Sequence, residues 1–427
     1  MDTSLILILI LAFSFAATHL EDQFLRGRVR LFHGLEYLLI GVLVGPQALE
    51  FLGNETTLSM APLLSVITGL LGFIYGLPLV IKGSASRMPG GIRLGFAVSA
   101  ITAATIGGLG FIAIVWLEGG DRAGYGMAAV ALGFGAVTCS VESVLTTISS
   151  TRSQGPISTL MPRAAATMRV LAITGFGIAT ATAHGMPGHS FYAVGLGPIG
   201  WILLTIGLGF VIGSIFSIFV GAEQEKEKLF VATIGVVALA SGLAYALELS
   251  PLFLNLIAGA TVANLSPSID KLNHAAARLR RPFDATLLLL AGAAWVPISL
   301  VFWLLPLGFV IVRVVVLRFG SWLATRRNPN LDPNIPRLGN GLLSQGPLTV
   351  AIAVNYQMVS SHALIDVVFT CLLVSAVVNE FWASSAIRRV LQNGGETGRG
   401  PLDSKSEPDL PLVFELSGDE HEEGALP

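Results

Sequence analysis

The chain has 427 residues, of which 53% are hydrophobic and only 12% charged, and its mean hydropathy is +0.74. No soluble domain of this size would stay in solution with that composition, so the chain is read as an integral membrane protein. Its net charge of −2 leaves no basic footprint for nucleic acid.

A hydrocarbon core about 30 Å thick takes roughly 20 helical residues per crossing. Thirteen apolar runs of about that length follow one another, near 2–19, 34–50, 57–81, 91–116, 126–148, 158–183, 190–221, 228–247, 249–265, 282–297, 298–318, 338–357 and 364–386. They predict an all-α polytopic protein. Only Asp2 precedes the first run, which therefore lacks the basic flank of a cleaved signal peptide and is read as the first membrane helix. From Gly394 the chain turns acidic and rich in Gly, Pro and Ser, which predicts a disordered tail over about 391–427. DLPLVFEL (409–416) is an apolar island within it.

Of the 25 Lys and Arg residues, 22 fall in alternate loops and the tail, Arg122 lies in the opposite set, and Arg169 and Arg313 lie inside apolar runs. Positive charge is retained in the cytoplasm, so this asymmetry predicts an outer N-terminus, a cytoplasmic C-terminus and a place in the cell (inner) membrane. Cys139 and Cys371 both fall in apolar runs and are read as small buried thiols. The sequence has no phosphate-binding loop, metal-ligand cluster or hydrolase triad, so neither an enzyme nor a resident cofactor or metal is expected.

Several runs are interrupted. The fifth contains GFGAVTCSVESVL (133–145), small residues around one carboxylate, Glu142, with a break expected at 141–144; the twelfth contains SQGP at 344–347. A broken membrane helix frees backbone groups that are tolerated only where they are buried or line a watery cavity. By the charge rule the two run in opposite directions. Paired interruptions of this kind mark an inverted-repeat transporter whose broken fifth and twelfth helices cross at the midplane.

Three motifs carry a resemblance to a known family: IGVLVGP (40–46), SPLFLNLIAGATVANLSP (250–267) and GLLSQGPLTVAIA (341–353). In this order and spacing the chain resembles the monovalent cation:proton antiporters, in particular the bacterial branch of sodium/proton and potassium-efflux exchangers. The resemblance covers roughly residues 1 to 390. It implies a homodimer whose interface helices span about 1–81 and 228–297. A core of about 91–183 and 298–386 would then carry a monovalent cation, Na⁺ or K⁺, against H⁺ by an elevator-like movement.

GAVTCSVESVL resembles the family's unwound fifth helix, with Glu142 at the place of its Asp and Ser143 at the place of its Pro. A carboxylate there can line the ion path or satisfy half-helix termini; a structural acid paired to a basic neighbour is the alternative. In the sixth run the family's Asp is missing. Met168 and Arg169, or Arg169 and Val170, stand there instead. Arginine keeps its proton and cannot coordinate a cation. An ion pair between Glu142 and Arg169 is expected, since an unpaired Arg in the bilayer costs at least about 2.5 kcal/mol.

Three activities remain open: an exchanger using Glu142 as its titrating carboxylate, a transport-deficient homologue acting as sensor or partner subunit, and a transporter of another, possibly anionic, substrate drawn to Arg169. Further candidates are Arg313, which either neutralises core carboxylates and helix ends or snorkels; Gln345 and Asn355, which offer amide oxygens to an ion or cap the broken helix; and Thr138 and Ser140, which offer hydroxyls to an ion or to a neighbouring helix. Asp284 and Glu36 are expected too near helix ends to be buried. His184 and His189 are expected together in an outer loop, as pH sensors or as solvated residues.

Overall fold

The computed structural model describes residues 34–47, 60–80, 90–118, 122–185, 195–222, 226–266, 269–326, 338–360 and 364–398. The helices among them are α1 (Leu35–Val44), α2 (Ala61–Gly76), α3 (Gly90–Glu118), α4 (Arg122–Val137), α5 (Val141–Ser150), α6 (Pro156–His184), α7 (Pro198–Ala222), α8 (Lys226–Ala246), α9 (Pro251–Leu265), α10 (Ile269–Ala293), α11 (Leu304–Arg326), α12 (Leu338–Gly341), α13 (Pro347–Val359) and α14 (Ile365–Asn393). A 3₁₀ turn, Leu300–Trp303, leads into α11. Seven spans among the described residues are long and apolar enough to cross a membrane, and α2, α9 and α13 are shorter apolar helices. Over their described residues the second to thirteenth runs are thus largely helical, the fifth and twelfth as pairs of half-helices. The first run, His189 and the island at 409–416 lie outside the described residues.

Prolines open several helices, where their missing N–H costs nothing: Pro156 begins α6, Pro251 α9 and Pro347 α13. Ser140 and Ser250 cap α5 and α9 by accepting from the Ser143 and Phe253 amides. One expected boundary is corrected. The tenth run was expected from 282, but α10 starts at Ile269 and passes through Pro282. Its first turns, LNHAAARLRR, are strong helix formers too charged for a hydropathy window to include.

The helices pack in two groups. In one, α9 lies against α2 and α7, α10 against α1 and α2, and α8 against α2 and α9. In the other, α3 lies against α4, α6 and α11, and α14 against α11, α13, α5 and α12. The groups meet where α6 touches α7 and α9, and where α13 touches α10 and α2. Between α2 and α9 the backbones approach directly: a Cβ on Gly72 would strike the Leu252 carbonyl and one on Gly259 the Phe73 carbonyl. Lipid supplies no hydrophobic drive between helices, so such close contact is what holds them. Polarity is arranged for lipid as well. Leu203, Phe210, Leu304 and Ile311 point outward while Asn255, Arg313, Thr349, Asn355 and Glu380 are buried.

The expected start of the tail is also corrected. α14 continues to Asn393, and the next residues fold back on the α5–α6 turn, with Gln154 donating to the Glu396 carbonyl and Gly398 to the Thr151 carbonyl. The Glu396 carboxylate accepts from the Ile157 and Ser158 amides at 2.7 and 2.8 Å and from the Ser158 hydroxyl at 2.5 Å. It supplies the acceptors that the first turn of α6 lacks, where an anion also complements the helix dipole.

Candidate functional site

The site is built at the crossing of the two broken helices. α4 stops at Val137, residues 138–140 have no regular secondary structure, and α5 restarts at Val141, so the break expected at 141–144 is corrected to 138–140, and Glu142 lies in the first turn of a half-helix that Ser140 caps. Likewise 343–346 have no regular secondary structure between α12 and α13. The two breaks touch: the Ser140 amide donates to the Ser344 carbonyl at 3.0 Å, and the Thr138 hydroxyl lies 2.6 Å from that of Thr349 in the first turn of α13.

The carbonyls freed by the breaks are taken up by Arg313. It is fully buried, and its Nε, Nη1 and Nη2 donate to the Ala136, Leu343 and Thr138 carbonyls, each at 2.9 Å. A fixed fork of donors suits this task, and a cation belongs at helix C-termini. Of the two readings of Arg313, the geometry fits neutralised helix ends; the side chain does not snorkel. Gln345 is equally committed. Its amide donates to the Gly135 carbonyl (3.1 Å) and Thr138 Oγ1 (3.3 Å), and its Oε1 accepts from Ser375 (2.6 Å) and Asn379 (3.0 Å).

Glu142 and Arg169 meet as the sequence suggests, Nη2 lying 2.6 and 2.5 Å from the two carboxylate oxygens. What sequence reasoning missed is the second cation. Arg280 Nη1, from α10 in the other helix group, lies 2.5 Å from Glu142 Oε1, and its Nε lies 3.5 Å from Asp284 Oδ2. Tyr75 of α2 sits under both guanidinium groups, 4.2 Å from Arg169 and 5.5 Å from Arg280 by ring centroid. Two carboxylates and two guanidiniums give a site with no net formal charge. The Glu142 side chain is 29% exposed against 6% for Arg169.

Asp284 is therefore a correction: it is a member of this cluster with its side chain 17% exposed, not a residue at an open helix end. The error follows from starting the tenth helix at 282. With α10 extended, RRPFD puts Arg280 and Asp284 one turn apart on one face, and that i,i+4 spacing was the available signal. Glu36 does lie in the first turn of α1.

A third acid was missed as well. Glu380 of α14 is 4% exposed and accepts from the Ser143 hydroxyl at 2.6 Å and the Ser344 hydroxyl at 2.8 Å. A carboxylate well inside an apolar run, as Glu380 is in 364–386, is the kind of signal that singles out Glu142. Ser143 Oγ lies 3.0 Å from Ser140 Oγ, which lies 3.3 Å from Glu142 Oε2, so the two acids are joined through two hydroxyls.

Asn355 is not part of this cluster; its amide donates to Ser250 Oγ at 2.8 Å and ties α13 to the cap of α9. His184 is a second correction. It ends α6 fully buried, with its ring nitrogens 2.9 and 3.0 Å from the Thr180 and Leu247 carbonyls and its ring 5.0 Å from that of Trp201. Cys139 and Cys371 are buried free thiols.

No family model matches the chain, and no curated protein matches it in sequence. Solved structures do. The sodium proton antiporter MjNhaP1 from Methanocaldococcus jannaschii, in a structure at pH 8, is similar with a TM-score of 0.64 at 13% identity, over 90% of this chain and all of that one. A second structure of MjNhaP1, from electron microscopy, gives 0.60 at 14% identity over 91% of this chain and 98% of the other. The chain has the fold of a sodium/proton antiporter. That fold agrees with the apolar helices. At this identity the likeness carries the fold and leaves the activity to be argued from the site.

Proposed function

We propose that the chain is a secondary transporter of the cation:proton antiporter type, exchanging a monovalent cation, Na⁺ or K⁺, for H⁺ across the cell membrane. One observation carries the reading: Glu142, at the crossing of the broken helices, receives part of its counter-charge from Arg280 on the opposite helix group. In this reading the group of α3–α6 and α11–α14 is the moving core, and the group of α1, α2 and α8–α10 is the static interface of a homodimer. The N-terminus faces outward and the C-terminus the cytoplasm, as the loop charges indicate. Arg169 rides with Glu142; Arg280 does not. When the core moves, Arg280 and Asp284 stay together on α10, and a cation or proton takes the place of the Arg280 guanidinium at the Glu142 carboxylate. Ser140, beside the carboxylate, supplies a hydroxyl oxygen to the incoming ion. Thr138, Gln345 and Arg313 hold the crossing in shape.

A second reading has an observation of its own: with both guanidiniums in place Glu142 is fully compensated, which suits a transport-deficient homologue acting as a sensor or partner subunit. An anionic substrate has no such support, because Arg169 spends its guanidinium on Glu142 and Tyr75. The deciding experiment is proton flux in proteoliposomes holding a pH gradient, on addition of Na⁺, K⁺ or Li⁺, with Glu142→Gln beside wild type. Dissipation that disappears in Glu142→Gln supports the exchanger. No dissipation from folded protein with any of the three overturns it in favour of the second reading.

A further inference from the structure

We infer that Asp284 is the standby partner of Arg280: it competes with Glu142 for that guanidinium and takes it over when the two helix groups part.

The contacts at Arg280 are unequal. Its Nη1 lies 2.5 Å from Glu142 Oε1, whereas its Nε lies 3.5 Å from Asp284 Oδ2, within ion-pair reach but longer than a good hydrogen bond. Arg280 Nε and Asp284 Oδ1 are both shut off from solvent, and among the described residues neither has a hydrogen-bond partner. A buried donor and a buried carboxylate oxygen, both unspent and one turn apart on one face of α10, belong to a pair held short of closing. Glu142 holds them apart, because it draws the guanidinium toward the other helix group. An acid that served to brace Arg280 against Glu142 would grip the guanidinium by a hydrogen bond, and Asp284 does not.

The division of these residues between the groups decides what happens when the groups part. Arg280 and Asp284 share α10, and Tyr75, 5.5 Å below the guanidinium, belongs to α2 of the same group. Glu142 and Arg169 belong to the other group and stay paired with each other. Withdrawing Glu142 alone would strand a buried cation, which is the costly way to break an ion pair. With Asp284 beside it, Arg280 turns within its own side chain, still over Tyr75, and exchanges one carboxylate for another. The parting then swaps ion pairs and leaves no charge bare on α10. This hand-over rests on the exchanger reading, in which the groups move and a cation or proton arrives at Glu142. The competition within the present arrangement does not rest on it. Asp284 touches no transported ion in this scheme; it is a positioning residue that acts through Arg280.

A competitor and a brace predict opposite signs. Full-length protein in mixed micelles is unfolded with SDS, and the coupling between Glu142 and Arg280 is taken from Glu142→Gln, Arg280→Gln and the pair. The cycle is then repeated on Asp284→Asn, which keeps the shape of the side chain and removes its charge. Neutralising a competitor makes the coupling constant rise severalfold, and neutralising a brace makes it fall. Asp284→Glu, which restores the acid, should bring the coupling back toward the wild-type value. A fall or no change with Asp284→Asn overturns the inference. The hand-over is read by pulsed electron paramagnetic resonance in lipid nanodiscs, with spin labels on Ser149 of α5 and Leu265 of α9, both exposed. Arg280→Gln should shift the distances away from the present arrangement and Asp284→Asn should not; a shift away in Asp284→Asn, or none in Arg280→Gln, overturns the hand-over. A coupling that rises in protein that moves no protons in vesicles leaves the competition standing and overturns the exchanger reading alone.

Discussion

Arg313→Met removes three donors that reach the Ala136, Thr138 and Leu343 carbonyls at 2.9 Å from the middle of the crossing. A hydrogen bond to a charged group is worth about 1.5–3 kcal/mol in a soluble protein. Interhelical bonds in membranes average only about 0.6 and reach about 1.7 kcal/mol, because the unfolded chain in the bilayer finds other partners. Three such bonds give about 2–5 kcal/mol. The upper end applies, since the carbonyls left behind sit at half-helix ends where no further turn can bond them. Unfolding by SDS in mixed micelles, followed by the fluorescence of the six tryptophans, reads the loss directly. Arg313→Lys is expected to recover only part of it, because one ammonium cannot address three carbonyls on two segments as a planar fork does. A wild-type midpoint for Arg313→Met, or full recovery by Lys, would refute the assignment of this residue to the helix ends.

In the Glu142 cluster, Arg169→Gln should lower the same midpoint more than Arg280→Gln, because the Arg169 side chain is 6% exposed and that of Arg280 20%; the reverse order would be evidence against a buried pair. Combining Glu142→Gln with Arg169→Gln should cost less than the sum of the two, with a coupling of about 0.5–3 kcal/mol, and additive losses would count against the contact. Glu396→Ala should cost about 1–2 kcal/mol as a lost helix cap and speed hydrogen exchange at the Ile157 and Ser158 amides, with unchanged exchange telling against the cap. Gly72→Ala and Gly259→Ala should each cost about 1–3 kcal/mol by forcing α2 from α9. Gly242→Ala, where a Cβ meets nothing within 4 Å, is the control that should stay near wild type.

The sequence by itself determined what depends on composition along one dimension. Lipid can accept only helices whose backbones bond internally, so the apolar runs of the described residues could be little else, and the small polar stretch around Glu142 in the fifth and the Gly346-Pro347 step in the twelfth marked broken spans. The pairing of Glu142 with Arg169 was legible for the same reason, since two lone charges in neighbouring apolar runs have few other partners. What the tertiary structure decided is everything that depends on which faces meet. Hydropathy set the start of α10 at the first uncharged residue and so hid Arg280 and Asp284, whose charges are tolerated because they close on Glu142 over Tyr75. It placed His184 in a loop, although the residue finishes a helix and reaches carbonyls of α6 and of the turn after α8. Glu380 and Glu396 lie 237 and 238 residues from Ser143 and Ser158, the hydroxyls they meet. No local pattern specifies such contacts. They exist because helix packing brings a buried acid to hydroxyl and amide donors on a segment far away in the chain.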